Sequence, residues 1–571
     1  MTAPQSDRSG TPALNPVVVF GVLALVLALR AMHLSSALQS PLSYQPGPDE
    51  DYYLRFGQAV ASGRGQDSPE FTFMDPGYGY LLGALFKLVG VNPVAVYLFQ
   101  ALLDTATAYG ILCIGRLLNR PRAGLYGALL YGLVSTAIMF CATLLKEICV
   151  ASYLTWWVAG ALAVCRSERK LAWLGFGLLC GIGTALRSTL LLSGVAALLL
   201  PALAGKRSGR VGKAALVVLG IALSLAPWSL RNHGAFGSFS PLPTNGGIVL
   251  HQAYNAQNPA SAIWIPAFVN YLNPSEIWRG YAAEAERRVG QPLTPPQVDG
   301  YWREEAVQFM RDHPRQVIED VARKGVAFLS ATEVPNNRSA TEERLFSPVL
   351  HLLPPPSAWL LASGLAGLVW FAIADRRWPV VALPIVISWA TVAVFWAEDR
   401  FRFHAAPVLA LCAGVWIDGL VQSVRTPGRW QLPVFSVLAA AIAAASLYLG
   451  TQFPPPAVRW DHIVWGYIKM GKPAEAQSLA ARIAIEQPDN GPVFEALGYL
   501  AATTGKFDDA QHDYQRAVEL RPRSYLAHYN LAKVLLALGD KTRAAAEART
   551  SLSLRPSADT EALLTQIEST R

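Results

Sequence analysis

The sequence predicts an all-α polytopic membrane protein that carries a C-terminal α-solenoid. Hydrophobic residues make up 52% of the 571 residues and charged residues 15%, a balance typical of a chain with many membrane spans. Apolar runs long enough to cross a bilayer recur as far as residue 451. Beyond residue 456 the composition turns polar and alanine-rich, and small residues recur at a fixed period. The chain is therefore expected to contain at least two domains.

The first apolar run, at about 16–37, is predicted to be a retained transmembrane helix. It is too long for the hydrophobic region of a signal peptide and has no convincing cleavage site. At about 20 residues per crossing, ten further runs bring the expected total to about eleven transmembrane helices. These runs lie near 93–116, 122–144, 147–165, 171–187, 188–204, 214–230, 357–374, 378–396, 404–421 and 431–451.

Basic residues cluster after alternate spans, and the positive-inside rule places such clusters in the cytoplasm. This assignment makes residues 1–14 a cytoplasmic tail. It puts the loops 38–92 and 231–356, together with the C-terminal tail, on the outer face. The clusters are Arg116, Arg120 and Arg122; Arg166, Arg169 and Lys170; Lys206, Arg207, Arg210 and Lys213; Arg376 and Arg377; and Arg425 and Arg429.

Two segments of the outer loops have a pattern of their own. Segment 76–90 is apolar, short and glycine-rich, and counting it as a crossing would break the charge alternation. We therefore expect a juxtamembrane or re-entrant element there. Segment 299–330 has apolar residues at helical spacing and predicts two amphipathic helices, separated at Pro314, on the membrane surface.

The cysteines and the net charge exclude other classes of protein. All six cysteines lie in or at the ends of apolar runs, which argues against a disulfide framework and against a cysteine-based zinc site. Much of the basic excess behind the net charge of +8 lies in short loops between spans, where membrane orientation requires it. No nucleic-acid partner is therefore expected.

The tail, residues 457–571, is predicted to contain about three helical repeats. Its glycines, alanines and prolines recur every 34 residues, and the middle copy adds Leu497, Gly498, Tyr514 and Ala517. The pattern resembles the tetratricopeptide repeat, a pair of closely packed helices that usually binds peptides or proteins. We expect an acceptor or partner protein to bind there. The recurring residues are Gly471, Gly505 and Gly539; Ala476, Ala510 and Ala544; and Pro488, Pro522 and Pro556.

The acidic pair Asp49–Glu50 follows the first span, within PGPDEDYYLRFGQAVASG. One interpretation is structural, because acidic residues favour the N-terminal cap and first turn of a helix. The other is functional, because charge beside a membrane site is costly and marks a functional hypothesis. Both interpretations can hold together, since a cap would fix the geometry of the carboxylate.

A series of motifs resembles the GT-C glycosyltransferases, and among them the dolichyl-phosphate-mannose–protein mannosyltransferase family with its polyprenyl-phosphate-sugar relatives. The resemblance runs through residues 15–450, so residues 15–452 are expected to form a GT-C-like domain. The motifs are PDEDYYLRFGQAVASGRG, FTFMDPGYGYLLGALFKLVG, TLLKEICVASYL, GIGTALRSTLLL, APWSLRNHGAFGSFSPLPTNGG, HPRQVIEDVARKGVAFL and EDRFRFHAAPVLALCAG.

This resemblance implies an inverting transfer of a sugar from a polyprenyl-phosphate-linked donor in the membrane lipid to an outer-face acceptor. The acceptor is a protein, a lipid or an envelope glycan. Asp49 matches the family's first-loop aspartate and would be the general base, and Glu50 matches a second acid that orients the site. Arg400 and Arg402 match an Arg-aromatic-Arg signature and would hold the donor phosphate.

Six further positions are candidates. Lys146, Arg187 and Arg231 lie at outer ends of spans, where they either bind the donor phosphate or snorkel at the interface. Glu147 and Asp75 match positions that are acidic or polar in the family. The chain lacks the lysine that the aminoarabinose transferase has near Asp75, so the resemblance does not extend to that enzyme's phosphate recognition. Asn245, in PTNGG, predicts a turn, and the resemblance places this loop over the active-site cavity.

The sequence does not decide whether the protein binds a metal cofactor. His233 and His251 lie in the long outer loop, but two histidines without tight spacing only weakly indicate a zinc site. The resemblance makes no cofactor certain and leaves a divalent metal open, with its ligands unknown.

Three alternative functions remain: a non-catalytic membrane-anchored repeat scaffold, an O-antigen ligase or polymerase, and a transporter. The acidic pair with the paired arginines argues against a scaffold, and the order of motifs argues against a ligase. The acids lie at ends of spans rather than in mid-membrane, which argues against a transporter. We expect an integral protein of the bacterial inner membrane, with the active site and the repeats on the periplasmic face.

Overall fold

The structure is a computed structural model that describes residues 14–65, 69–203, 209–258, 264–269, 273–425, 431–453 and 456–569. The predicted tail before residue 14 and the basic residues Lys206, Arg207 and Arg429 lie outside this range. All regular elements among the described residues are helices, as predicted. The chain forms two compact units. One comprises the residues up to Ser35 with Gly47–Pro456, and the other comprises Ser36–Pro46 with Ala457–Arg571.

The first unit contains the membrane helices. Within the described residues, seven helices are long and apolar enough to cross a membrane. Three shorter apolar helical segments coincide with further predicted spans: Lys170–Leu186, Ser188–Ala202 and Trp378–Val394. The second of these consists of the 3-10 helix Ser188–Leu190 followed by the short helices Leu191–Ala197 and Leu200–Leu203. The seven long helices are Pro16–Ala37, Pro93–Leu117, Glu147–Val164, Arg210–Phe236, Pro356–Ala374, Ala406–Arg425 and Gln431–Thr451.

The remaining predicted span, 122–144, is not one helix. The chain forms Pro121–Gly132, turns at Leu133 and Val134, and continues as the short helix Ser135–Phe140. All six residues of the short helix are buried, so the apolar run reflects burial within the protein as well as contact with lipid. Periodicity alone does not separate these two causes of an apolar run.

Small residues allow the membrane helices to pack closely. A Cβ at Gly177 would lie 2.3 Å from the Val217 carbonyl oxygen, and one at Gly220 would lie 2.4 Å from the Leu174 carbonyl oxygen. The helices Lys170–Leu186 and Arg210–Phe236 thus meet through their backbones. This is the close approach that small residues provide between transmembrane helices.

The described parts of the two long loops that were predicted to lie on the outer face are largely helical. Segment 76–90 forms a 14-residue helix, Pro76–Val89, and its predicted re-entrant or juxtamembrane position stays a prediction. The two helices predicted around Pro314 are confirmed as Pro295–Asp312 and Pro314–Ala327. The other loop elements are Pro48–Ala61, the 3-10 helix Pro69–Thr72, Gly246–Ala253, Pro274–Val289, Ala340–Glu343, Pro348–Leu352 and Asp399–Phe403.

The second unit contains the repeats. Gly471, Gly505 and Gly539 follow the first helix of each pair and have φ values of +77°, +75° and +85°, which explains why glycine recurs there. Ala476, Ala510 and Ala544 are fully buried where helices meet, as a repeat of paired helices requires. The helices are Trp460–Lys469, Pro473–Glu486, Gly491–Thr503, Phe507–Leu520, Tyr525–Ala537, Lys541–Leu554 and Ala558–Ser569, and the 3-10 helix Pro41–Tyr44 belongs to this unit.

Candidate active site

The helix Pro48–Ala61 begins at the acidic pair. Gly47 is the N-terminal cap, Pro48 is the first helical residue, and Asp49, Glu50 and Asp51 occupy the first turn. Proline and acidic residues both favour this end of a helix. Asp49 is therefore not the capping residue, and its side chain is available for other contacts.

Glu50 is buried and its two oxygens are fully used. Oε2 accepts hydrogen bonds from the Gly47 backbone N–H (2.7 Å) and from Arg338 Nε (2.9 Å). Oε1 accepts from the Leu144 backbone N–H (3.0 Å) and from Arg338 Nη2 (3.2 Å). Arg338 also pairs with Glu343 at 3.2 Å. Burial alone would lower the pKa of Arg338, but these two carboxylates raise it, so the guanidinium stays charged.

Asp49 is less buried and has an unused oxygen. Its Oδ2 accepts hydrogen bonds from Arg400 Nη1 (2.6 Å) and from Asn337 Nδ2 (2.9 Å). Its backbone N–H donates to Asn337 Oδ1 (2.9 Å). Oδ1 of Asp49 accepts no hydrogen bond from the described residues, and the side chain is 15% exposed. The carboxylate is thus held by one oxygen and presents the other.

A closed set of hydrogen bonds holds Arg400 beside Asp49. Arg400 Nε donates to Glu398 Oε2 (2.6 Å), and Asn336 Nδ2 donates to Glu398 Oε1 (2.6 Å). Asn337 Nδ2 then donates to Asn336 Oδ1 (3.0 Å), which joins the set back to Asp49. Burial raises the pKa of Glu398, although the Arg400 guanidinium opposes this shift. Nη2 of Arg400 donates no hydrogen bond among the described residues.

Asp75 and Lys146 form a buried ion pair. Lys146 Nζ donates to Asp75 Oδ2 (2.5 Å), and Asp75 Oδ1 accepts from the Ser188 backbone N–H (2.9 Å). Ser188 directly follows Arg187 in the chain. The pair therefore anchors the backbone beside Arg187.

Glu147 lies between two basic side chains at the start of its helix. His404 Nε2 forms a short contact with Glu147 Oε2, and Arg187 Nη1 lies 3.6 Å from the same oxygen. Arg187 Nη1 also lies 3.3 Å from the nitrogens of the His404 ring. Glu147 is thus used to hold Arg187 and His404.

The Phe401 ring joins these two groups of contacts. The guanidinium carbon of Arg187 lies 4.6 Å from the ring centroid, and that of Arg400 lies 4.8 Å from it. Such distances are typical of cation–π contacts. Six of the predicted residues therefore come together in one cluster: Asp49, Asp75, Lys146, Glu147, Arg187 and Arg400.

Arg402 and Arg231 are not brought into this cluster by the described contacts. Arg402 donates to the Ser330 and Thr332 carbonyl oxygens (2.6 and 2.7 Å) and pairs with Asp399, so it ties two loops together. Arg231 donates to the carbonyl oxygens of Gly65 and Phe71 at 3.4 and 3.3 Å. The described contacts thus tie both guanidinium groups to other parts of the protein.

Asn245 lies at the edge of a neighbouring cavity. It is the N-terminal cap of the helix Gly246–Ala253 and, with Ser188, lines a cavity of about 260 Å³. Asp299 also lines the cavity and accepts from the Gly247 backbone N–H (2.6 Å). Ser188 connects this cavity to the Asp75 contacts described above.

Among the described residues, the two candidate histidines pack on aromatic side chains. His251 is buried against Tyr281 and Trp302, which lowers its pKa to about 4, and His233 stacks on Phe239. The part of the chain that the structure describes has no group of three or more His, Cys, Asp or Glu side chains that could hold a metal. One oxygen of Asp49 already pairs with the Arg400 guanidinium.

Five polar residues that contact the site were not found from the sequence: Asn336, Asn337, Arg338, Glu398 and His404. Glu398 is the first residue of the motif EDRFRF, two residues before Arg400, but the sequence analysis did not assign it a role. The run Asn336–Asn337–Arg338 lies in the loop before the short helix Ala340–Glu343, and its concentration of polar side chains was the available signal. Only the tertiary structure joins these loops to Asp49.

The fold and this cluster define an integral membrane protein with a polar site beside its spans. Residues 67–230 match the family model described as dolichyl-phosphate-mannose-protein mannosyltransferase, and residues 495–559 match the model described as tetratricopeptide repeat. The predicted resemblance to both is confirmed. The first match includes Asp75, Lys146, Glu147 and Arg187, and it supports glycosyltransferase activity in general. Asp49 and Arg400 lie outside it.

Solved structures of an oligosaccharyltransferase from Archaeoglobus fulgidus are also similar to the chain. The apo crystal structure has 14% identity and a TM-score of 0.43, and the alignment covers 78% of this chain and 57% of that one. The archaeal oligosaccharyltransferase AglB in complex with an inhibitory peptide and a dolichol-phosphate has 14% identity, the same coverages and a TM-score of 0.41. The complex with Zn and sulfate has 12% identity, coverages of 78% and 54%, and a TM-score of 0.41.

The chain thus spans little more than half the length of these solved chains. No curated protein matches the chain.

Proposed function

We propose that the protein is a membrane glycosyltransferase that moves a sugar from a polyprenyl-phosphate donor to an acceptor hydroxyl, with Asp49 as general base. The observation that carries this proposal is the unused oxygen of Asp49, held in place by the contacts of its other oxygen with Arg400 and Asn337. A sugar or serine hydroxyl is a weak nucleophile, and a fixed carboxylate can accept its proton as the glycosidic bond breaks.

Arg187 and Arg400 are the proposed ligands of the donor phosphate. Both guanidinium groups lie over the Phe401 ring, and neither Nη2 donates to a described residue. Planar guanidinium groups bind phosphate through two hydrogen bonds and keep their charge. Lys146 is neutralised by Asp75, so its proposed part is to fix the backbone next to Arg187 rather than to bind phosphate directly.

The proposed reaction is a single displacement. The acceptor oxygen forms a bond to the anomeric carbon of the sugar while its proton passes to Asp49 Oδ1. The bond between that carbon and the phosphate oxygen breaks, and its electron pair leaves with the polyprenyl phosphate. Attack from the face opposite to the leaving group inverts the anomeric configuration. Arg187 and Arg400 stabilise the charge that develops on the phosphate.

The site is proposed to face the periplasm of a bacterial inner membrane, because the basic clusters between the spans favour the cytoplasmic side. The repeats are proposed to recruit the acceptor or a partner protein. The family match to a protein mannosyltransferase favours a protein acceptor.

The test is a transfer assay with the purified full-length protein in lipid. A labelled polyprenyl-phosphate hexose and a set of peptide and glycan acceptors are supplied, and the anomeric configuration of the product is read by NMR. Wild type is expected to give inverted product. Asp49→Asn is expected to lose about 10³-fold in kcat, within the range that general bases contribute.

Asp51→Asn is the matched control. Asp51 lies in the same helical turn, but it is 45% exposed and pairs with Arg55. It is expected to transfer like wild type. Full activity of Asp49→Asn would exclude the general base, and a retained configuration would exclude the single displacement. No transfer by wild type from any polyprenyl-phosphate donor would favour the scaffold alternative.

A further inference from the structure

One loop of the first unit supplies a direct partner of Asp49. We call residues 333–341 the asparagine loop, because it contains Asn336 and Asn337. The amide group of Asn337 contacts Asp49 twice, as an acceptor from the backbone N–H and as a donor to Oδ2. Residues 333–339 form no helix or strand, so the position of the loop depends on other contacts.

Glu333 closes the asparagine loop at its base. Glu333 Oε1 accepts from the Ala340 backbone N–H (2.5 Å), and Oε2 accepts from the Thr341 backbone N–H (3.0 Å) and from Thr341 Oγ1 (2.6 Å). These two N–H groups are the first of the short helix Ala340–Glu343, and such groups have no partner within their own helix. One carboxylate thus joins the two ends of the loop through three hydrogen bonds.

A backbone hydrogen bond joins the same loop to the chain beside Arg400. The Asp399 N–H donates to the Val334 carbonyl oxygen (3.0 Å). Val334 directly follows Glu333, and Asp399 directly precedes Arg400. The base of the loop and the guanidinium that pairs with Asp49 are therefore fixed relative to each other.

The tip of the loop packs tightly on the start of the Asp49 helix. A Cβ at Gly47, the cap of that helix, would lie 2.8 Å from Asn337 Oδ1 and 3.0 Å from the Asn337 carbonyl oxygen. The Asp49 N–H donates to Asn337 Oδ1 (2.9 Å). Because N–H groups in the first turn have no partner within their own helix, protection of this N–H reports where Asn337 lies.

We propose that Glu333 is a positioning residue for the transfer reaction, because by closing the asparagine loop it holds Asn337 against Asp49. The three hydrogen bonds of Glu333 all lie within the loop, so Glu333 acts through the loop rather than on the reacting groups. This inference rests on the proposed function of Asp49 as general base, although the closure of the loop does not.

The experiment compares wild type with Glu333→Ala, which removes all three hydrogen bonds, and with Glu333→Gln, which keeps one acceptor oxygen. Glu286→Ala is the matched control, because Glu286 also closes a loop by accepting a backbone N–H, from Leu293 at 3.0 Å. Asn337→Ala gives the reference for loss of the Asn337 contacts. Hydrogen exchange of the Asp49 amide is measured on the full-length protein in lipid, together with kcat and the donor KM.

Glu333→Ala is expected to raise exchange of the Asp49 amide to the level of Asn337→Ala. It is also expected to lower kcat about tenfold with the donor KM unchanged, since small misplacements around a catalytic group are costly. Glu333→Gln should give smaller changes in both, and Glu286→Ala should give none. In the Asn337→Ala background, Glu333→Ala should lower kcat little further, because residues that act through one contact are not additive.

An Asp49 amide that stays as protected in Glu333→Ala as in wild type would overturn the proposal. Raised exchange with wild-type kcat would exclude a part in the reaction, and a full further loss in the double variant would exclude action through Asn337. Should Glu333→Ala fail to fold, the same comparisons are made with Glu333→Gln. If wild type transfers no sugar, the proposed function fails, while the exchange of the Asp49 amide still decides whether Glu333 positions Asn337.

Discussion

Asp49 and Glu50 are adjacent in one helical turn, yet their surroundings differ. Glu50 is buried, receives four hydrogen bonds and pairs with Arg338 through both oxygens. Asp49 is partly exposed and is held through one oxygen. A carboxylate whose acceptor sites are all filled stabilises the fold, whereas one with a spare oxygen can accept a proton. We therefore propose different roles for these two neighbouring carboxylates, and the number of hydrogen bonds that each one accepts is the observation that separates them.

The largest expected effect is a loss of stability when the buried partner of Glu50 is removed. Arg338→Met removes the partner of two buried carboxylates, Glu50 and Glu343, and leaves their charges uncompensated. Breaking a buried pair in this way costs about 3–5 kcal/mol of the free energy of unfolding. The thermal midpoint of Arg338→Met, measured by unfolding in detergent, should therefore be lower than that of wild type.

Arg323→Met is the control, since Arg323 is 55% exposed and pairs with Asp320 on its own helix. Little change is expected for it. A thermal midpoint of Arg338→Met equal to that of the control would contradict the stabilising part assigned to Glu50.

The next largest effect is a difference between the two arginines: Arg400 is expected to affect the reaction, and Arg402 is expected to affect thermal stability. Arg400→Lys keeps the charge but loses the planar fork, so we expect kcat/KM for the donor to fall about 10²-fold. Arg402→Lys is expected to lower the thermal midpoint instead, because Arg402 ties the Ser330 and Thr332 carbonyl groups. Steady-state kinetics and thermal unfolding of both variants decide this. Equal losses of kcat/KM would mean that both arginines face the donor.

The smallest expected effect concerns Asn337. Asn337→Ala removes one hydrogen bond to Asp49 Oδ2 and one from its backbone, so kcat should fall by about tenfold, the equivalent of one to two hydrogen bonds. Asn337→Asp offers acceptors but no amide donor and should not restore the rate. Wild-type kcat in the alanine variant would show that Arg400 alone holds the carboxylate.

The sequence predicts the membrane helices and the repeats because both depend on local patterns. Hydropathy identifies runs such as 16–37, and a 34-residue period identifies the tail. The interruption at Leu133 and Val134 was missed, because a buried turn and a lipid-facing helix are equally apolar. The place of Ser36–Pro46 in the repeat unit was missed because it depends on residues more than four hundred positions away.

The candidate site was predictable only where its residues stand in recognisable local motifs. Asp49 and Arg400 stand in motifs whose composition is unusual beside a membrane span. Asn337 and Arg338 lie in a loop without periodicity, and their contacts with residues 49 and 50 are set by tertiary structure alone. The family resemblance assigned different roles to Asp49 and Glu50, but the sequence could not show the physical difference between them, which lies in the neighbours that donate hydrogen bonds to each carboxylate.

The most direct test measures Asp49→Asn and Glu50→Gln side by side, with the initial rate of sugar transfer and the thermal midpoint taken from one preparation. Each variant is predicted to lower one of the two quantities: Asp49→Asn lowers the rate, and Glu50→Gln lowers the thermal midpoint. Asp49→Asn should lose about 10³-fold in rate while its midpoint stays near wild type. Glu50→Gln should lose thermal stability while its folded fraction still transfers sugar. A variant of Glu50 that is stable and inactive, beside an Asp49 variant that is active, would contradict the account.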